Sequence, residues 1–201
     1  MEARLINCKD DLISKDFEKA EKLLGITFPK SFKKLLYGCD GGYLEGSLSF
    51  FDRGIGRVSG AAIGVFLSFK PQEELEIKPW EIDEDALIEN CDKAPKPVLP
   101  EIVEENLNPP EYFLDSLVVF AVDGGGNYFC FDYRSGKDNL DPPVVFWQHE
   151  GPCEDKNGDE DLTLAISPLA ENFESFIAQL KPESEIETAI EMLEKQHPSK
   201  D

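Results

Sequence analysis

Residues 115–136 read DSLVVFAVDGGGNYFCFDYRSG. Two β-rich runs, Leu117–Val122 and Tyr128–Tyr133, stand on either side of Asp123-Gly124-Gly125-Gly126-Asn127. Valine and the aromatics suit a pleated surface, and glycine and asparagine suit a tight turn, so the stretch predicts a β-hairpin. A glycine-rich loop can also cradle phosphate. That function needs GxGxxG leading into a helix, or a Lys-Ser/Thr pair after the glycines. Neither is present, and a strand follows the glycines instead.

On the C-terminal side, "VVFWQH" predicts another strand, Val144 to His149, and Asn157-Gly158 marks a turn before a short strand, Leu162–Ile166. Ser167 and Pro168 then suit the cap and first position of a helix whose apolar stripe is Leu169, Phe173, Phe176, Ile177 and Leu180. Pro182 separates it from "ESEIETAIEMLEKQH", a thinner amphipathic pattern on Ile186, Ile190 and Leu193. On the N-terminal side, Asp16 to Leu24 places Phe17, Ala20, Leu23 and Leu24 on one helical face, with Ser14 or Asp16 as cap and Gly25 as stop. Pro29 opens a second helix with Phe32, Leu35, Leu36 and Cys39 on one face and lysines on the other. Asp40-Gly41-Gly42 releases the chain into a strand pattern from Tyr43 to Phe51, and Gly60 to Lys70 is a second apolar stretch. A helix is expected after Pro79, and the proline-rich "DKAPKPVLPEIVEENLNPPEYF" is expected to run as a surface excursion without regular structure. The fold class is therefore α+β: a mainly antiparallel sheet packed with an N-terminal helix pair and a C-terminal helix.

The 201 residues carry a net charge of −21, unevenly spread. Residues 1–70 are near neutral at +2, residues 71–117 carry −11, and residues 118–201 carry −12. Such a surface repels nucleic acid and anionic lipid, and it steers basic proteins. The five cysteines (Cys8, Cys39, Cys91, Cys130 and Cys153) form no CxxC pair. "MEARLINCKDD" has no apolar core of a signal peptide, and no apolar run reaches membrane-spanning length. The expectation is a reduced cytoplasmic protein with its cysteines used as small core residues.

Catalytic and metal patterns are weak. Asp155, Asn157 and Asp159 stand at the first, third and fifth positions of an EF-hand-like count, but the sixth is Glu160 rather than glycine and the twelfth is Ile166 rather than glutamate. His149 and His197 are the only histidines, and Cys153 near His149 is a nucleophile–base pair by spacing alone. No catalytic residue, metal or cofactor is assigned. Trp80, Tyr112 and Trp147 suit the core or a half-buried position first, and, set among carboxylates, are also aromatics of the kind that anchor interaction surfaces.

The order of motifs resembles the SUKH superfamily of Smi/Knr-like domains. "FEKAEKLLGITFPKSFKKLLYGCDGG" is similar to the family's opening, on Leu24-Gly25, Ile26, Phe28-Pro29, Phe32, Leu35-Leu36 and Asp40-Gly41-Gly42. "VVFAVDGGGNYFCFDY" is similar to its glycine-rich hairpin, with Gly124, Gly125 and Gly126, and "LAENFESFIAQL" to its last helix. The resemblance implies a single domain over residues 1–181; the acidic, proline-bearing insert at about 72–116 is longer than a minimal member has, and the helical extension at 182–201 runs beyond the family core. The resemblance also implies a protein-binding fold rather than an enzyme. Bacterial members are mostly immunity proteins that bind and neutralise a cognate toxin, often a nuclease; eukaryotic members act as scaffolds and adaptors. A basic protein toxin is thus the expected partner, with an endogenous protein the alternative, and neither nucleic acid nor membrane is expected. Candidate contacts are Trp80, Asp83, Glu84, Asp85, Asp123, Trp147, Glu150, Asp155 and Asp159; Gly25, Pro29, Asp40, the two glycines after it and the three of the hairpin are expected to be architectural.

Overall fold

A computed structural model describes residues 4–8, 10–44, 48–52, 59–71, 99–151, 154–182 and 185. The hairpin forms as the sequence predicts: β6 (Leu117–Val122) pairs antiparallel with β7 (Tyr128–Asp132). It lies at the centre of a five-stranded sheet of order β5-β6-β7-β8-β9, in which β5 is Val65–Phe66, β8 is Val144–Trp147 and β9 is Ile166–Ala170. All its pairings are antiparallel. Two smaller sheets join β1 (Leu5–Ile6) to β2 (Tyr43–Leu44), and β10 (Lys181–Pro182) to β3 (Leu48–Asp52) and β4 (Ser59–Ala62).

Phenylalanine holds the helices to the sheet. Phe32, fully buried on α2 (Lys30–Leu36), meets Phe131 at 5.1 Å and Phe120 at 5.6 Å between ring centroids. From the C-terminal helix α4 (Phe173–Gln179), Phe173 meets the same Phe32 at 5.1 Å, and Phe176 meets Phe129 at 5.9 Å. Each fully buried ring contributes about 2–3 kcal/mol by transfer from water, with a further increment from edge-to-face geometry. α1 (Ser14–Leu24) buries Phe17 and Ala20; Phe17 packs edge-on against Phe69, while Leu23 is exposed although it falls on the predicted stripe. Asp16 sits one turn inside this helix and accepts a hydrogen bond from Ile13 N, so the helix begins two residues earlier than its pattern indicates.

Several expectations are overturned. The Tyr43–Phe51 run splits into β2 and β3, in different sheets, and the Gly60–Lys70 run splits into β4 and β5. Ser167 and Pro168 do not open a helix: they lie in β9, opposite Phe146 and Val145, and Leu162–Ala165 is a 3-10 turn rather than a strand. Proline is tolerated because β9 is an edge strand, where a missing N–H breaks no ladder on the outer side. The helix starts at Phe173, capped by Asn172, whose side chain accepts from Ser175 N.

The proline-rich segment contains a core element. α3 (Glu101–Leu107) follows Pro100 and buries Ile102 and Val103 completely. Its Asn106 reaches β6: Oδ1 accepts from Val119 N at 2.7 Å, and Nδ2 donates to Val119 O at 2.9 Å. The short β5 pairs with β6 only at Ala121 and Val122, so this side-chain amide serves Val119 on the side of β6 that β5 does not reach. The helix expected after Pro79 and the one over 183–197 fall outside the described residues, apart from Glu185.

The cysteines also depart from expectation. Cys8 and Cys39 form a disulfide across a sequence separation of 31, and Cys130 is a free, buried thiol. A covalent loop of that length restricts the unfolded chain by about 3–4 kcal/mol on the chain-entropy account. Burial, then the charge of Asp132, pushes the Cys130 thiol well above its ordinary value, so it stays protonated and inert.

Candidate protein-binding surface

The register of the five-stranded sheet decides which loops are neighbours. Tyr128, Trp147 and Ile166 are cross-strand partners, so the β6–β7 turn and the β8–β9 connection lie at the same end of the sheet. Asn127 joins the two, its side-chain oxygen accepting from His149 N at 3.1 Å. Asp123, Glu150, Glu154, Asp155, Asp159, Glu160 and Asp161 all belong to these two loops, and Glu154 and Glu160 are bridged through their backbones.

Both loops use one hydrogen-bond scheme. In the β6–β7 turn, Asp123 N donates to Asn127 O, and the Asp123 carboxylate accepts from Gly125 N and Asn127 N at 2.8 and 2.9 Å. In the second loop, Asp155 N donates to Asp159 O, and its carboxylate accepts from Asn157 N and Asp159 N at 2.8 and 3.0 Å. The amides of Asp159 and then Asn157 hold the Asp155 carboxyl below the ordinary carboxylate value. Asp123 and Asp155 therefore spend their charge partly on shaping their loops. Glu150, Glu154, Asp159 and Glu160 are exposed and direct theirs outward. Glu150 lies 3.7 Å from His149 Nε2.

Beside this end sits an aromatic cluster. Trp147 is only 3% exposed, stacked on Tyr128 at 5.3 Å and met edge-on by Phe113 at 5.2 Å. It is thus a core residue rather than the surface anchor its neighbourhood suggests. Its indole N–H has no hydrogen-bond partner among the described residues. The Tyr128 hydroxyl donates to Glu105 of α3 at 2.8 Å; burial first, then that carboxylate, raises the phenol well above its ordinary value. Tyr112, half exposed, remains at the surface.

Other predicted positions are structural or undescribed. Trp80, Asp83, Glu84 and Asp85 lie outside the described residues, as does Cys153. Gly25 terminates α1 in the left-handed conformation, and Pro29 occupies the N-cap of α2. Asp40 is buried, and its carboxylate accepts from Phe69 N and Lys70 N at 2.6 and 3.2 Å. The acids absent from the predicted set (Glu154, Glu160 and Asp161) flank Asp155 and Asp159 in sequence, and the charge run around Asn157-Gly158 already carried that signal. Among the described residues, no cluster of histidine, cysteine and carboxylate could hold a metal ion, and no helix is long and apolar enough to cross a membrane.

The profile of the SMI1 / KNR4 family (SUKH-1) matches residues 14–179. The chain belongs to that family. The match begins at the first residue of α1 and ends at the last of α4, so this SUKH-1 domain contains all four helices described and the whole five-stranded sheet. No curated protein matches the chain.

Proposed function

We propose that this SUKH-1 domain is a non-catalytic protein-binding module of the immunity type, which captures a basic toxin domain through the acidic end of its five-stranded sheet. The observation that carries this reading is the register that gathers seven carboxylates from two loops at one end. Both loops are stiffened by their own aspartates, so their acids are presented in fixed positions, which lowers the ordering cost of binding. A nuclease must expose cations to its phosphate substrate, and a fixed acidic surface competes for the same cations. The proposed compartment is the cytoplasm, where such a toxin would act; reducing conditions there oppose the Cys8–Cys39 bridge, so rapid alkylation of cells and mass mapping that found the two cysteines still bridged would overturn that placement.

The test is affinity capture from lysate of the source with the full chain immobilised, eluted in rising salt, beside a variant carrying Glu150→Lys, Glu154→Lys and Glu160→Lys. A basic toxin-like protein, retained by the native chain and lost from the variant, supports the proposal. A partner that ignores both salt and the three reversals sinks it and favours an endogenous scaffold role.

A further inference from the structure

A second surface has the opposite sign. Ser14–Tyr37 holds six lysines against three carboxylates in a chain of net charge −21. Two of those carboxylates are engaged: Asp16 accepts from Ile13 N, and Glu21 accepts from both Phe28 N and Lys33 Nζ at 2.8 Å. Between α1 and α2 lies an open groove of about 470 Å³, lined by Ser14, Phe17, Lys30, Lys33, Lys34 and Tyr37 with Glu18 and Glu21. Lys30 and Lys34 are exposed and have no acidic partner among the described residues. Tyr37, 63% exposed, offers a ring at the rim.

We propose that this groove docks an acidic segment of a partner protein, its carboxylates on Lys30 and Lys34 and an apolar side chain against the exposed ring of Tyr37. Charge complementarity selects the occupant. Lysines without acid partners in an otherwise anionic molecule attract carboxylates, and the Tyr37 ring gives a peptide the apolar contact that a free ion cannot use. The groove is also preformed. The Cys8–Cys39 bridge closes a loop containing both helices, and Gly38 N and Asp40 N bond the carbonyls of Leu12 and Asp10. The surface is distinct from the acidic end: Tyr133, beyond the far end of β7, donates to Thr27 O and fixes the α1–α2 turn there.

The experiment is fluorescence anisotropy with a labelled peptide of alternating glutamate and phenylalanine. The full chain is compared with the Lys30→Glu, Lys34→Glu variant, its fold checked by near-ultraviolet circular dichroism. The expected result is saturable binding to the native chain, weakened roughly tenfold or more by the variant and by added salt. A second variant, Tyr37→Ala, leaves every lysine in place and is expected to weaken binding by a few-fold. Binding unchanged in the lysine variant overturns the proposal. So does equal affinity for a lysine–phenylalanine peptide, or tighter binding of a single-stranded oligonucleotide than of the acidic peptide. These outcomes are independent of the capture by the acidic end, which uses other residues and a partner of opposite charge.

Discussion

Asp-Gly-Gly occurs twice in this chain, at 40–42 and at 123–125, and the two copies do different things. At the first, the aspartate is 1% exposed and its carboxylate holds amides 29 and 30 residues away. The glycines are there because backbone passes close by: a Cβ on Gly42 would stand 2.6 Å from Ile6 O, at φ +98°. At the second, the aspartate binds only its own turn, and a Cβ on Gly124 would meet nothing within 4 Å. The same three letters thus make a long-range joint in one place and a self-contained loop in the other. What separates them is the sequence distance to the aspartate's partners.

Substitutions sharpen that contrast. Gly42→Ala should cost the most, about 4 kcal/mol, because it combines a clash with fixed backbone and a conformation that L-residues resist; urea unfolding would measure it, and a loss below about 1 kcal/mol would erase the distinction between the copies. Asp40→Ala should follow at about 3 kcal/mol, since two amides lose a charged acceptor in a buried site. Asp123→Ala, read the same way, should cost only about 1 kcal/mol, with water replacing the carboxylate at an exposed turn. Gly124→Ala should change stability by less than about 0.5 kcal/mol.

Acid titration tests the loop type at its second occurrence, Asp155. Its carboxyl is depressed by the amides it accepts, so the anion supports the folded loop above the ordinary value of about 3.9, and that support is lost as pH falls through the lower folded value. The Asn157 and Asp159 amide resonances should therefore shift in a single step below the ordinary carboxylate range, and amides that titrate at or above it would refute the assigned hydrogen bonds.

The sequence was most legible where local pattern and tertiary role agree. The hairpin is marked by its glycines, by valines before them and by aromatics after them, and Phe32, Phe173 and Phe176 carry the helical period that buries them. It was least legible where a partner lies far away along the chain. Nothing near Asn106 announces that it substitutes for a strand beside Val119. The prolines around α3 hid a helix whose start they in fact set, with Pro100 before Glu101 and Glu104 in the first turn. Ser167-Pro168 matched a helix cap in letters, but the open edge beside Val145 and Phe146 took the pair into β9. At the acidic end, composition supplied the charge, and only the strand register could say that two loops share it.

The bridge between Cys8 and Cys39 makes residues 8–39 a closed ring of covalent bonds. A protease that cuts the α1–α2 turn at Gly25–Thr27 would therefore release nothing: the nicked protein would keep its full mass and would part into two pieces only when unfolded and reduced. One severed loop is here not a lost molecule.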